Sequence, residues 1–329
     1  MKRLLILMLI LSQSGLFAQQ LERHNKVLKL MGSRFEITAI HEDSQVAWDA
    51  INAGIAEIQR IERLISSWDP NSQTSEVIRQ AGMAPVQVDQ ELFDLIKRAI
   101  QISKITDGAF DISYASMDRI WKFDGSMKEM PDAETVALAA SRIDYHKIIL
   151  NEAERTVLLK DKGMKIGFGA IGKGYAAQKA KEVMSSLGIK NGVVNASGDL
   201  IAWGHDERGQ VFEVGIADPK NIQQVLSWLQ VENTSVVTSG DYERYVMFDN
   251  KRYAHIIDPR TGYPTTGIKS VTIITANPEL ADALSTSVFV LGVDQGLELV
   301  NQLPGVECLI ITDQDQIKTS QNLTLNNKS

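Results

Sequence analysis

The chain has one cysteine in 329 residues, Cys308 in "VECLII". A lone thiol excludes an intramolecular disulfide framework, so stability has to come from a packed core, and the apolar neighbours read Cys308 as a buried strand thiol. There is no basic run, and the net charge is −7. That balance argues against nucleic acid and against an electrostatic membrane patch. No Pro- or Gly-rich linker divides the chain, and no internal repeat is present, which excludes solenoids and strings of small modules. An apolar run from Leu4 to Leu11 is too short to cross a bilayer, which takes about 20 such residues.

What surrounds that run has a pattern of its own. Lys2 and Arg3 precede it and the small Ala18 follows a polar stretch, the order of a secretory signal peptide cleaved after Ala18. Gln19 and Gln20 follow, not the cysteine of a lipoprotein. The expectation is an exported, periplasmic protein that is soluble rather than lipid-anchored. Residues 19–329 are long enough for one large domain, and any internal division is expected near residue 160.

Strand and helix periods alternate along the rest. "SRFEITAI" reads as a strand, and Ser44 to Ile65 as a helix with Val46, Ala50, Ile51, Ile55, Ile58 and Ile61 on one face. "QELFDLIKRAIQISKIT" is a second amphipathic helix, and a short one starts near Asp132. "TVLLK", "MKIGF", "GVVNA", "FEVGI", "SVVTS", "RYVMF", "RYAHIID", "SVTIIT" and "VECLIIT" read as strands, with Asp249-Asn250 as a hairpin turn. Asn277 and Pro278 form a helix start. Strands adjacent in sequence and joined by short turns predict an α+β class: a mixed, largely antiparallel sheet with packed helices.

"GFGAIGKGYA" contains G-x-G-x-x-G at Gly167, Gly169 and Gly172, before a helix from Lys173 to Leu187. A dinucleotide fingerprint of the Rossmann type also needs an acidic residue closing the next strand, about 20 residues on. That strand, "GVVNA", ends in Asn195 and Ala196, and Asp199 comes only after Gly198. The spacing is met but its context is not.

Other segments carry chemistry with alternatives attached. Asp282 and Thr286 stand at i and i+4 in "ELADALSTSVFVLG", so both oxygens share a helix face. A carboxylate and a hydroxyl so placed suit a hard cation completed by waters and phosphates, while an Asp early in a helix is also favoured by the dipole alone. "YAHIIDPRTGYP" groups His255, Asp258 and Arg260 around a Pro-x-x-Gly turn: a proton carrier and an anion ligand, or a hydrogen-bonded turn. Trp68 in "SSWDPNSQTSEV" is either a stacking platform or a half-buried core ring. Ser239, Gly240 and Asp241 read as a tight loop, either a site or a connector.

Taken in order, "MGSRFEI", "SSWDPNSQTSEV", "DGAFDIS", "GFGAIGKGYA", "VVNASGDL", "VTSGDYERY", "HIIDPRTGYP" and "ADALSTSVFVLG" resemble the ApbE family, the FAD:protein FMN transferases. The ordered set covers nearly all of the chain after the signal segment and is far more specific than any one motif. The resemblance implies an ApbE-like, T-fold-related architecture with an FAD cleft between two subdomains. It also implies an enzyme that uses Mg2+, takes FAD as substrate, releases AMP and esterifies FMN to a Thr or Ser of a partner. By the same resemblance Asp282, Thr286 and the carbonyl of Ala170 are metal ligands. Met31, Trp68, Ala109, Phe110, Asp111, Lys173 and Ile256 fall where the family contacts FAD, and His255 where a base for the acceptor hydroxyl is placed, with Asp258 beside it as a second catalytic candidate. The acceptors it suggests are membrane redox subunits with an exposed Thr, such as those of sodium-pumping NADH:quinone reductase and Rnf complexes.

Two positions depart from the family pattern. Gly167 stands where an acidic residue is usual, and Ser197-Gly198-Asp199 replaces Gly-Gly-Asp. Neither touches the expected metal ligands. A Mg2+-dependent FAD pyrophosphatase, with water in place of the acceptor, and a non-catalytic exported FAD-binding protein are the alternatives, separated by what leaves FAD and where it goes.

Overall fold

The computed structural model describes residues 20–218, 221–241 and 245–325; the expected signal segment lies outside them. Seven helices are described: α1 (Ser44–Ile65), α2 (Gln73–Arg79), α3 (Gln90–Ile105), α4 (Ala133–Ala140), α5 (Gly172–Ser186), α6 (Pro278–Leu291) and α7 (Val293–Asn301). The central sheet has eight strands that lie side by side in chain order. They are β1 (Glu22–Leu30), β2 (Ser33–His41), β3 (Asn191–Ala196), β4 (Asp199–Trp203), β5 (Thr234–Gly240), β6 (Ile268–Thr275), β7 (Val306–Thr312) and β8 (Ile317–Thr319). Every pairing in it is antiparallel.

Alternation along these strands sorts the two faces. Phe35, Ile37, Ala39, Val194, Ala196 and Ile201 are fully buried under α1 and α5, in one cluster with Ile51, Ile58 and Ile61. Each Ile, Val or Phe among them contributes roughly 2 kcal/mol by burial. The other half of that face, with Val237, Val271 and Ile273, carries α6 and α7. A hairpin of Phe212–Asp218 and Asn221–Val231 covers part of the opposite face. The helices end as their sequences require: Asp43 accepts from Gln45 and Val46 at the start of α1, and Asn277 accepts from the Leu280 N–H ahead of Pro278 in α6. No helix among the described residues is long and apolar enough to cross a membrane.

The expected strand at "MKIGF" is not one. Residues 164–168 join no sheet, because a one-turn 3-10 helix, Ile112–Ser116, supplies their partners. Gly167 N donates to the Ile112 carbonyl at 2.9 Å, and Ser116 Oγ both accepts from Lys165 N (2.7 Å) and donates to its carbonyl (2.9 Å). Likewise "RYAHIID" is a strand only over Lys251–Ala254, and Ser239 and Gly240 end β5 instead of forming a tight loop. The Asp249-Asn250 hairpin turn is present, with φ of 48° and 60°. Periodicity did not reveal β1, because most of its residues are solvent-facing and four of the nine are charged.

Candidate active site

The two glycines that open α5 let three elements converge. A Cβ on Gly172 would sit 2.7 Å from Ile65 Cδ1 at the end of α1 and 3.6 Å from Met31 Cε. A Cβ on Gly174 would collide with the Pro278 carbonyl and come within 2.9 Å of Asp282 Cβ. The helices therefore meet backbone to backbone, a close approach only glycine permits.

That approach puts Asp282 at the N-terminus of α5. The residue preceding the helix, Ile171, has no side chain able to cap it, and Asp282 Oδ2 accepts from Gly174 N at 3.0 Å instead. A carboxylate from a neighbouring helix thus serves orphan N–H groups at the positive end of the α5 dipole. Asp282 is buried, and burial holds its carboxyl above the usual range; Lys173 and the α5 N–H groups act in the opposite direction. One turn on, the Thr286 hydroxyl is half-buried and makes no hydrogen bond among the described residues. Beneath it Ser285 is held by two neighbours: its hydroxyl lies 2.8 Å from that of Ser239 and donates to the Asp282 carbonyl at 2.9 Å.

Lys173 reaches across to an ion pair with Asp199, a carboxylate buried at the first residue of β4. Asp199 entered the sequence reading as evidence against a Rossmann loop and as the last residue of Ser197-Gly198-Asp199, but not as a site residue. Its signal was available: an acidic residue directly after a Ser-Gly turn, at the start of an apolar strand. The turn itself, Ser197 at φ 55° and Gly198 at φ 102°, lies against the Met31-Gly32 turn, since Arg34 N donates to Ser197 Oγ at 3.2 Å. Met31, Lys173, Asp199 and Asp282 consequently gather at one end of the sheet.

A second group forms beside them. Ala109 and Ile256 share an apolar cluster with Ala254 and with Ala281 and Leu284, which flank Asp282 on α6. Asp111 caps the 3-10 helix, accepting from Ser113 N (2.7 Å) and Tyr145 N (2.9 Å), while Phe110 packs into the main core. A Cβ on Gly108 would meet Arg260 Cγ at 3.6 Å, so the "DGAFD" and "DPRTG" segments touch. His255 is half-buried, edge-on to Phe123 with ring centroids 6.4 Å apart. Asp258 is engaged within its own turn: Arg260 donates to both its oxygens at 2.9 Å, and its carbonyl accepts from Gly262 N at 2.8 Å.

Trp68 stands apart from any core, 78% exposed just beyond α1, with the Arg119 guanidinium 5.1 Å from its ring centroid. A large apolar ring left in solvent three residues from the packed Ile65 fits a stacking platform, not the half-buried alternative. At Gly167 an added Cβ would lie 3.1 Å from Ala115 Cβ. The glycine is thus matched to the close 3-10 helix behind it.

The donor set suits a hard cation that keeps phosphate or water ligands. Asp282 is its one carboxylate, Thr286 offers an uncommitted hydroxyl, and Ala170 lies just before α5. Among the described residues no group of three or more His, Cys, Asp or Glu could form a closed metal cage.

The model of the ApbE family matches residues 31–310. The chain belongs to the ApbE family. It is 32% identical over 292 residues to a protein of Treponema pallidum named FAD:protein FMN transferase, covering 83% of this chain and 81% of that one. A Klebsiella pneumoniae protein of the same name is 29% identical over 88% of this chain and 89% of its own. The crystal structure of the ApbE protein of Thermotoga maritima superposes with a TM-score of 0.81 at 31% identity, covering 91% of this chain and 97% of that one.

Proposed function

We propose that this ApbE-family protein is a Mg2+-dependent FAD:protein FMN transferase that moves the FMN half of FAD to a Thr or Ser hydroxyl of an exported or membrane redox protein and releases AMP. The observation that carries this reading is the α5–α6 junction, where a buried carboxylate, an uncommitted hydroxyl and a paired lysine surround the N-terminus of a helix. Such a terminus is suited to a pyrophosphate, and the names of the relatives at 32% and 29% identity support the substrate. The signal-like segment at residues 1–18 supports export to the periplasm.

In this reading Lys173 and the first-turn N–H groups of α5 bind the pyrophosphate, and Asp199 keeps Lys173 in place. Trp68 offers its open face to a flat ring, with Met31, Ala109, Phe110, Asp111 and Ile256 shaping the rest of the FAD cleft. His255 takes the proton of the incoming hydroxyl as its oxygen attacks the FMN phosphorus. The bond from that phosphorus to the bridging oxygen breaks, and AMP departs with the electron pair. Asp258 holds the turn that follows His255 through its double contact to Arg260. Magnesium held by Asp282, Thr286 and the Ala170 carbonyl would neutralise the charge that builds on the departing phosphate.

The test is to incubate the protein with FAD, magnesium and a candidate acceptor and to weigh the acceptor. A gain equal to FMN minus water, with AMP released, is expected. Free FMN and an unmodified acceptor would mark a pyrophosphatase instead, and tight FAD binding with no AMP or FMN released would sink both enzymatic readings.

A further inference from the structure

The acceptor also has to reach this site, and the sheet ends in an edge that leads to it. All nine residues of β1 pair with β2, and among the described residues no strand pairs with its other side. An open edge of this length is a template for a further strand. Its C-terminal end runs into the Met31-Gly32 turn, and Met31 lies against Gly172 at the start of α5. A segment laid along β1 is therefore aligned with the candidate site.

Two further observations say what would lie there. On a chain of net charge −7, β1 carries Arg23, Lys26 and Lys29 against one acid, Glu22. Arg23 is paired with Glu207, whereas Lys26 and Lys29 have no ion pair among the described residues. The strand's faces are distinguished by contacts: His24 meets Trp48 of α1 with ring centroids 5.7 Å apart, while Asn25 donates to Glu36 Oε1 at 2.6 Å on the opposite side. By alternation Lys26 and Lys29 then lie on opposite faces, so a paired strand meets positive charge from both. At the end nearest the site a shallow, open depression of about 240 Å³ is lined by Val27, Leu28, Lys29, Gly32, Ser33 and Arg34. That is smaller than the roughly 300 Å³ at which small-molecule sites begin, and Val27 on its wall is 47% exposed. The same lysines oppose pairing between two copies of β1, because like charges would face each other.

We infer that β1 is the docking edge for the acceptor protein, which adds an acidic, extended segment to the sheet, seats one apolar side chain in the Val27–Arg34 depression and so brings its hydroxyl to the Met31 end. The inference rests on the transferase reading for the identity of the partner, and on the edge, the charge and the depression for its place.

The probe is the soluble domain of a flavin-accepting subunit of a sodium-pumping NADH:quinone reductase, tested against the full chain. The double variant Lys26→Glu/Lys29→Glu is expected to raise the KM for this acceptor at least tenfold, with FAD affinity unchanged and circular dichroism intact. The wild-type KM should rise with salt, and the variant's should not. With an acceptor whose target Thr is replaced by Ala, amide exchange of residues 22–30 should slow on mixing. An unchanged acceptor KM together with unprotected β1 amides, in a protein that does transfer flavin, overturns the docking edge and leaves the transferase reading standing. Protection of β1 in a protein that transfers nothing would do the reverse. Protection that appears with concentration in the absence of acceptor would assign the edge to a second copy and overturn the inference.

Discussion

Two regions of this molecule display nearly the same inventory of reactive groups, and the structure uses them differently. The α5–α6 junction has Asp282, Asp199, Lys173 and Thr286; the turn after β-hairpin Tyr245–Phe248 and Lys251–Ala254 has His255, Asp258 and Arg260. In the turn, Asp258 spends both oxygens on Arg260 two residues away, so the local chain satisfies itself. At the junction the groups come from three separated stretches, and Asp282 spends an oxygen on the end of another helix. Local saturation makes Asp258 a holder of the turn that carries His255, whereas groups gathered from afar and buried at a helix N-terminus leave donors and charge that a ligand could use.

The largest effect should follow from Asp282→Asn. The amide oxygen can still accept from Gly174 N, so folding is retained, while the charge that would hold magnesium is gone. Flavin transfer is expected to fall roughly a hundred- to thousandfold, with a melting temperature within a few degrees of the parent by calorimetry. Wild-type transfer by this variant in millimolar magnesium would break the comparison at its first term.

Asp199→Asn comes next. Lys173 loses the buried carboxylate that orients it, and a charge-assisted contact of this kind is worth about 1.5–3 kcal/mol. The KM for FAD should rise about tenfold or more with a smaller change in kcat; an equal fall in kcat and kcat/KM would assign Asp199 to the chemical step instead.

These two residues also show what was legible in the sequence. The helix carrying Asp282 and Thr286 followed from periodicity, from the Asn277-Pro278 start and from i, i+4 spacing. That Asp282 caps α5 did not follow, because no local pattern records a side chain 108 residues away replacing a missing cap. The fold class and most elements were readable where one face is buried. The "MKIGF" strand failed because Met164, Ile166 and Phe168 alternate into the main core while the backbone between them bonds to a 3-10 helix and not to a sheet. Trp68 left two options open, and its exposure removes the half-buried one.

Trp68→Ala sharpens the comparison from the ligand's side. The ring is 78% exposed, so its loss should leave the melting temperature unchanged. Stacking on a flat ring is worth about 1–3 kcal/mol, so FAD affinity measured by flavin fluorescence should drop about tenfold. Unchanged affinity would place the flavin and adenine elsewhere. Asp258→Asn is expected to act in the opposite sense: about 1 kcal/mol of stability lost with the Arg260 contacts, and only a few-fold change in kcat as the His255 turn loosens. A hundredfold loss in kcat would move Asp258 from holding the turn to the reaction.

The smallest effect should come from the anchor of the hairpin that precedes His255. Arg252 there lies 2.9 Å from Asp241, the residue after β5. Burial pushes the Asp241 carboxyl up to about 6, with Arg252 acting against the shift, compared with about 3.9 in the unfolded chain. Between those values the folded chain keeps a proton that the unfolded chain has released. This contribution to stability is therefore complete below about pH 4 and is lost as pH rises through about 6. With solvent screening it amounts to something on the order of 1 kcal/mol. Asp241→Asn cannot titrate, so its melting temperature should gain on that of the parent by a few degrees between pH 4.5 and 7.5. A constant difference across that range would contradict the raised carboxyl. The pH profile of kcat should be the same in both proteins if this pair serves only to anchor the hairpin. If the kcat profile shifted with the substitution, the Arg252–Asp241 pair would act on the His255 turn as well as anchor the hairpin, and the division between locally satisfied carboxylates and the receptive helix junction would fail.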